Sequence, residues 1–305
     1  MIRIAIVGLG QIARGQHLPV IAASRDFELA ATVSSEGSGV AGVPHFSDLE
    51  TMFRQGPPID AVALCTPPQV RHALAVAALN HGVHVLLEKP PAADAADVED
   101  LAERAARVGA TLFTAWHSRF AAGIPAARTW LSGRTLRRVS VTWHEDVRAW
   151  HPGQEWIWEP GGLGVFDPGI NALSILTDLL PCRLAFVSGV IKVPANRASP
   201  IAAELRFRGD SELPVEVSLD WRKTGEPCWT IDIETDGGNC VLSHGGAELT
   251  TPSVSIHDED REYPSLYDHF AGLIRRRTSD VDAYPLELVS EVMRAAKRTI
   301  SEPFR

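Results

Sequence analysis

Residues 2–7, Ile-Arg-Ile-Ala-Ile-Val, form a short apolar run rich in β-branched side chains. That is the composition of a strand covered on both faces, as in a parallel sheet. Similar runs recur at Phe27–Val33, Ile59–Cys65, Val83–Leu87 and Thr111–Ala115. Between them lie helical stretches: Asp48–Gln55, Gln69–His81 closed by Gly82, and the Ala-rich Asp94–Val108 closed by Gly109. Strands alternating with helices predict a doubly wound parallel sheet. Ligands on such sheets gather at the carboxyl ends of the strands. The rim residues are then Gly8, Ser34, Cys65-Thr66-Pro67-Pro68, Glu88-Lys89-Pro90 and Trp116-His117.

Beyond Ser118-Arg119 the period changes to two. Val139–Glu145, Ile201–Phe207, Val215–Trp221 and Trp229–Thr235 alternate apolar and polar positions, and Asp236-Gly237-Gly238-Asn239 turns the chain before Cys240–Ser243. This predicts a mostly antiparallel, open sheet. The expected fold class is therefore α/β: an N-terminal Rossmann domain with a doubly wound parallel sheet over 1–120, then an α+β domain over 121–305. A C-terminal helix at Pro285–Thr299 (about 285–300) is expected to pack back on the first domain.

Composition narrows the function. The chain has 305 residues, 45% hydrophobic and 22% charged, with a formal net charge of −9, which suits two globular domains and offers no basic face to nucleic acid. The one dense basic run, Leu273–Arg277, reads as a solvated helix end. Cys65, Cys182, Cys228 and Cys240 have neither CxxC nor metal-site spacing, so free thiols in a reducing compartment are expected and no metal. No leader pattern opens the chain, and no apolar stretch reaches the roughly 18–20 residues of a membrane helix. The reading is a soluble, cytoplasmic protein with no nucleic-acid or membrane partner.

Gly8-Leu9-Gly10-Gln11-Ile12-Ala13 fits G-x-G-x-x-A between a strand and a helix. The first glycine permits the tight turn, the second lets backbone approach a pyrophosphate, and the small third residue lets helix and strand pack closely. Gly8, Gly10, Gln11 and Ile12, the rim residues Cys65, Thr66, Pro67, Glu88 and Lys89, and Trp158 make up the expected cofactor set. An NAD enzyme places Asp or Glu at the end of the second strand for the ribose 2′-hydroxyl. Here that end reads Val33-Ser34-Ser35, with Glu36 arriving late and no arginine after it. Ser34 and Ser35 can donate to a 2′-phosphate or merely close a loop, and the preference expected is NADP with tolerance of NAD.

Two stretches in the second half carry chemistry. Trp150, Trp156 and Trp158 fall within nine residues, accompanied by His151, Gln154, Glu155 and Glu159. Aromatic faces stack on the C–H faces of a pyranose while polar groups bond its hydroxyls; packing onto the sheet is the plainer alternative. Trp221 divides evenly between core and pocket. Glu145 shares the parity of Val139, Val141 and Trp143, so a buried acid is expected, partnered by a sugar hydroxyl or an arginine such as Arg148. In Val-Phe-Asp-Pro-Gly-Ile-Asn (165–171), Asp167 and Asn171 stand one helical turn apart on one face. Asp167-Pro168 alone reads as an N-cap followed by proline at the first helical position.

Three segments, in order, resemble one family. "GVHVLLEKPPA" is similar to the E-K-P segment of the glucose–fructose oxidoreductase/inositol dehydrogenase (Gfo/Idh/MocA) family, "CTPPQVRHALAVAALNHGVHV" to its T-P-x-x-x-H approach, and "GGLGVFDPGIN" to its G-G-x-x-x-D-x-G-x-H. The family's usual histidine is Asn171 here. "WHSRF", the Trp-rich run and "DWR" most resemble the bacterial sugar 1-dehydrogenases of the family, which act on L-arabinose and D-galactose. The resemblance implies NAD(P)-dependent oxidation of C1 of a pyranose to a lactone, and a homo-oligomer paired through the open sheet face. It also implies that Lys89, Asp167 and Asn171 form the catalytic group; His117, Glu145, Trp150, His151 and Trp221 are the candidate substrate ligands. Asn171 has no titratable proton, and a lysine, with an ordinary pKa of about 10.4, must first lose one. Asp167 is therefore expected as proton acceptor, with Lys89 steadying the oxyanion. The reverse assignment stays open, with His117 and His151 as the remaining titratable candidates. Two other functions also stay open: oxidation of a ring secondary alcohol, as in polyol or inositol dehydrogenases, and a non-catalytic cofactor-binding paralogue.

Overall fold

The computed structural model describes residues 1–35, 37, 39–258 and 261–304, and divides into two units. The first comprises Met1–His117 with Tyr263–Ala283, the second Ser118–Glu262 with Tyr284–Arg305.

In the first unit the strands are β1 (Ile2–Val7), β2 (Phe27–Val33), β3 (His45–Phe46), β4 (Ala61–Leu64), β5 (His84–Glu88) and β6 (Leu112–Ala115). The helices between them are α1 (Leu18–Ala23, continuing a π-turn at Ala13–His17), α2 (Leu49–Gln55), α3 (Pro68–Asn80) and α4 (Ala95–Val108). The sheet runs β3-β2-β1-β4-β5-β6 and every pair is parallel. Its order reverses between β1 and β4, where such sheets open a crevice for ligands. Helices α2 and α4 start where a carboxylate takes up a free N–H group: Asp48 accepts from Thr51 N–H at 2.8 Å and Asp94 from Ala96 N–H at 3.1 Å, while α1 and α3 start at prolines. Val7, Val62, Leu64, Val85, Leu87, Leu101 and Leu112 close the interior against these helices. The third predicted strand begins two residues late, because Asp60 turns aside to take the Arg3 N–H at 2.8 Å and its guanidinium at 2.7 Å.

The second unit continues with α5 (Ile124–Leu131), β7 (Leu136–His144), α6 (Val147–Trp150), α7 (Phe166–Leu179), β8 (Ala185–Pro194), β9 (Ala202–Arg208), β10 (Pro214–Asp220), β11 (Cys228–Thr235), β12 (Gly238–Ser243), β13 (Glu248–Thr250) and β14 (Ser255–His257). After α8 (Glu262–Arg276) come α9 (Tyr284–Ala295) and β15 (Lys297–Ser301). The nine strands run β14-β13-β12-β11-β7-β10-β9-β8-β15, antiparallel except for β7 with β10 and β8 with β15. Helix α7 lies on β7 and between α5 and α9. It comes close because Gly169 has no side chain: a Cβ there would sit 2.6 Å from Leu219 Cδ1 on β10.

One expectation changes here. The predicted helix Pro285–Thr299 ends at Ala295, and Lys297–Ser301 becomes a strand beside β8. This helix packs on α7 within the second unit. The segment that rejoins the first unit contains most of α8, whose Tyr263, Leu266, Tyr267, Phe270 and Ala271 form a buried stripe. Among the described residues, no helix is long and apolar enough to cross a membrane.

Candidate active site

The glycine turn after β1 fits a dinucleotide phosphate. Gly8 has φ +90°, and a Cβ on it would lie 2.9 Å from the Thr66 nitrogen and 3.0 Å from the Cys65 carbonyl carbon. Only glycine lets this turn rest against the loop that follows β4. A Cβ on Gly10 would meet nothing within 4 Å, so the backbone there borders open space. Gln11 and Ile12 open the helix beyond it, and the first N–H groups of a helix lack intrahelical acceptors. Arg14 Nε holds the turn by donating to Leu9 carbonyl at 3.1 Å. At the end of β2 the Ser34 N–H donates to Phe46 carbonyl at 3.0 Å and Ser35 is exposed; Glu36 lies outside the described residues.

The loops after β4 and β5 are tied together by Arg71, which occupies the histidine position of the T-P-x-x-x-H pattern. Its buried guanidinium donates to the carbonyls of Thr66, Glu88 and Pro90. Pro67 opens α3, and a cis peptide joins Lys89 to Pro90. Glu88 is buried and accepts three hydrogen bonds: from Tyr263 hydroxyl at 2.6 Å, from His17 Nε2 at 3.2 Å and from the Lys89 N–H at 2.6 Å. Burial alone would raise its pKa; the His17 hydrogen bond and charge, with His117 and Tyr263, outweigh burial and hold it down to about 2. His17, equally buried, is lowered by that burial but raised more by Cys65, Tyr267 and Glu88, so it titrates well above the ordinary imidazole range. His117 stacks on Tyr263 with ring centroids 5.3 Å apart.

The second unit assembles a separate group around Glu145. Strand β7 buries Val139, Val141 and Trp143, and Glu145 follows on the same parity, 3% exposed. Its carboxylate accepts Trp221 Nε1 at 3.1 Å and Trp229 Nε1 at 2.8 Å. Arg148, one of the partners expected for it, instead pairs with Asp146 at 2.8 Å, two residues away, where Asp146 caps α6. Two indole N–H groups thus hold the buried acid in place. Trp221, fully buried, is both core and anchor.

His151 sits between two buried acids. Its Nε2 is 3.6 Å from Glu145 Oε1, and its Nδ1 is 3.8 Å from Asp167 Oδ2 and 3.4 Å from Gln154 Oε1. Its ring leans on Trp221, 5.2 Å between centroids. Asp167 does not cap its helix: Val165 holds that position, and the Asp167 N–H donates to Gly164 carbonyl at 2.8 Å. Pro168 then falls within the first turn, where a missing N–H costs nothing. Asn171 follows one turn later, half-buried, and its amide has no hydrogen-bond partner among the described residues.

Trp150 is 45% exposed and meets Trp229 edge-on at 5.0 Å. Trp229 was missed from sequence; its register opposite Trp143, an inward position, is the signal that could have found it. Trp158, expected at the cofactor, is buried within the second unit against Trp221 and Phe304, with the Arg197 guanidinium 5.3 Å above its ring. Its surroundings in that unit are those of a core residue.

The chain is similar to known proteins in sequence and in fold. Residues 2–116 match the Gfo/Idh/MocA model, described as an oxidoreductase family with an NAD-binding Rossmann fold. The chain is 44% identical to galactose 1-dehydrogenase of Pseudomonas fluorescens, over 99% of this chain and 98% of that one. It is similar to the crystal structure of D-galactose-1-dehydrogenase from Rhizobium etli, with TM-score 0.94 and 49% identity over 100% of this chain and 98% of that one. A 3-ketoreductase from Actinomadura kijaniata, solved with NADP and TDP-benzene, shares the fold at TM-score 0.85 and 15% identity, covering 98% and 99% of the two chains. With its glycine turn, its E-K-P segment and this full-length likeness, the chain belongs to the Gfo/Idh/MocA oxidoreductase family.

Proposed function

We propose that this protein is an NAD(P)-dependent aldose 1-dehydrogenase that oxidises C1 of D-galactose to the lactone. The observation that carries this reading is the full-length likeness to galactose 1-dehydrogenase at 44% identity. L-Arabinose, which has the galactose configuration at C2, C3 and C4 and lacks only the exocyclic carbon, is the expected second substrate. Bound NAD(P)⁺ supplies the acceptor for the hydride that leaves C1. The chain supplies the rest. Asp167 accepts the proton of the C1 hydroxyl as the C1–O bond becomes a carbonyl. His151, within 3.8 Å of Asp167 and 3.6 Å of Glu145, is the group through which that proton leaves. Lys89 steadies the negative charge on the oxygen. Trp150 and Trp229 offer aromatic faces to the ring, and the Asn171 amide donates to one sugar oxygen and accepts from another. Initial rates with D-galactose, L-arabinose, D-glucose and myo-inositol, each with NADP⁺ and NAD⁺, test the reading. D-Galactose should give the highest kcat/KM; myo-inositol as the best substrate would overturn it.

The same reading includes a preference for NADP, from Ser34 and Ser35, and a reducing, cytoplasmic location suited to four free cysteines. It also includes pairing of two copies through the outer face of the nine-stranded sheet. Ser35→Asp should lower the NADP⁺/NAD⁺ ratio of kcat/KM at least about tenfold, because a carboxylate repels the 2′-phosphate. An unchanged ratio would place the 2′ site elsewhere. Asn171→Leu should cost about 1–3 kcal/mol in kcat/KM, roughly 5- to 150-fold, by leaving a sugar hydroxyl unpaired. Cofactor titration by fluorescence should be unaltered; wild-type kcat/KM on every sugar would reduce Asn171 to a helix residue.

A further inference from the structure

His17 is 0% exposed and lies at the end of the π-turn Ala13–His17, on the helix that opens with the glycine turn. A π-turn carries one extra residue and so changes the face on which the next side chains fall, a distortion found often near functional sites. Here it turns an imidazole inward. Both ring nitrogens are bonded, Nδ1 to Tyr267 hydroxyl at 2.8 Å and Nε2 to Glu88 Oε1 at 3.2 Å. Tyr263 hydroxyl donates to the same Glu88 oxygen at 2.6 Å, and the ring of Tyr263 stands edge-on to His17 at 5.1 Å. The second carboxylate oxygen, Oε2, takes the Lys89 N–H at 2.6 Å.

A buried ion pair is a costly way to fill space, since apolar side chains of similar volume often do as well or better. What an apolar cluster cannot do is grip a particular N–H. The carboxylate of Glu88 has one oxygen fixed by His17 and Tyr263, which orients the other on Lys89. The network joins three elements of the first unit: the helix of the phosphate turn, the Lys89 segment and α8. Nothing in the family motifs quoted above includes His17 or Tyr263.

We infer that His17, Glu88 and Tyr263 are positioning residues that hold the Lys89 backbone and, through Lys89, set turnover in the reaction proposed above, on which the second part of this inference rests. Tyr263→Phe removes one hydroxyl while keeping the ring against His17 and His117. Hydrogen exchange at the Lys89 amide should then speed up about tenfold and kcat should fall about tenfold, with cofactor Kd and Tm little changed. His17→Leu should have the same effects, larger, and His17→Gln, whose amide can still donate to Glu88, should recover most of the loss. If His17→Leu fails to fold, the Tyr263→Phe and His17→Gln pair carries the test. In a Lys89→Met background, Tyr263→Phe should lower kcat no further, because its route to the reaction is gone; independent, additive losses would overturn the inference. Unchanged exchange at Lys89 in Tyr263→Phe would overturn it too. Exchange needs no sugar, so a wild-type protein inactive on every aldose would defeat the proposed reaction while the Lys89 amide still decides the positioning claim.

Discussion

Asp167→Asn should lower kcat on D-galactose by about 10²–10⁴, the range for losing a positioned general base, and leave cofactor Kd unchanged. The substitution keeps the shape of the side chain, and the backbone bond from the Asp167 N–H to Gly164 carbonyl does not involve the carboxylate. Helix α7 should therefore fold as before, and a far-ultraviolet spectrum and Tm near the parent's would show that the loss is chemical. Asp167 is the acid of this helix that stands beside His151, at 3.8 Å, and Asn171 one turn on cannot accept a proton. Turnover within a few-fold of the parent would remove Asp167 from the base role and return it to Lys89 or His151. Steady-state rates with saturating cofactor make the distinction.

Gly8→Val should weaken cofactor binding by about 10²–10³. A β-branched residue at φ +90° is strained by about 1–3 kcal/mol. Its Cβ would also press on Thr66 and Cys65 backbone at 2.9–3.0 Å, where no flexible side chain can yield. Together these amount to roughly 3–4 kcal/mol, or 10²–10³ in Kd. The turn that borders the open space at Gly10 would be displaced, whereas the Glu145, His151 and Asp167 group belongs to the other unit. Sugar binding followed by tryptophan fluorescence should thus survive the change. Loss of both together would show that Gly8 supports the whole fold rather than the phosphate turn.

The parallel sheet was legible because its strands are largely covered on both faces and so read as short, mostly apolar runs. Ile2–Val7 and Phe27–Val33 were placed to the residue. Strand β3 has two residues, too few to show any period, and β15 was absorbed into a helical reading because Lys297–Ser301 acquires its strand character only by lying on the edge at β8. Within the site, the parity of Glu145 with Val139, Val141 and Trp143 foretold its burial. Its partners were not foretold, because Trp221, just past β10, and Trp229, on β11, reach it across 76 and 84 residues. Arg148, one of the two kinds of partner the sequence offers, is instead claimed by a nearer acid, Asp146. Likewise Asp167-Pro168 has the form of a helix cap, yet the chain begins its turn two residues earlier, at Val165. The His17–Glu88–Tyr263 network left no trace in local pattern at all, since it links residues 71 and 175 positions apart.

The most direct test of the account is isotopic. With D-galactose carrying deuterium at C1, the account predicts a primary kinetic isotope effect on kcat/KM, recovery of the deuterium in the reduced nicotinamide, and a lactone free of it. Deuterium retained in the sugar product, with reduced cofactor unlabelled, would contradict oxidation at C1.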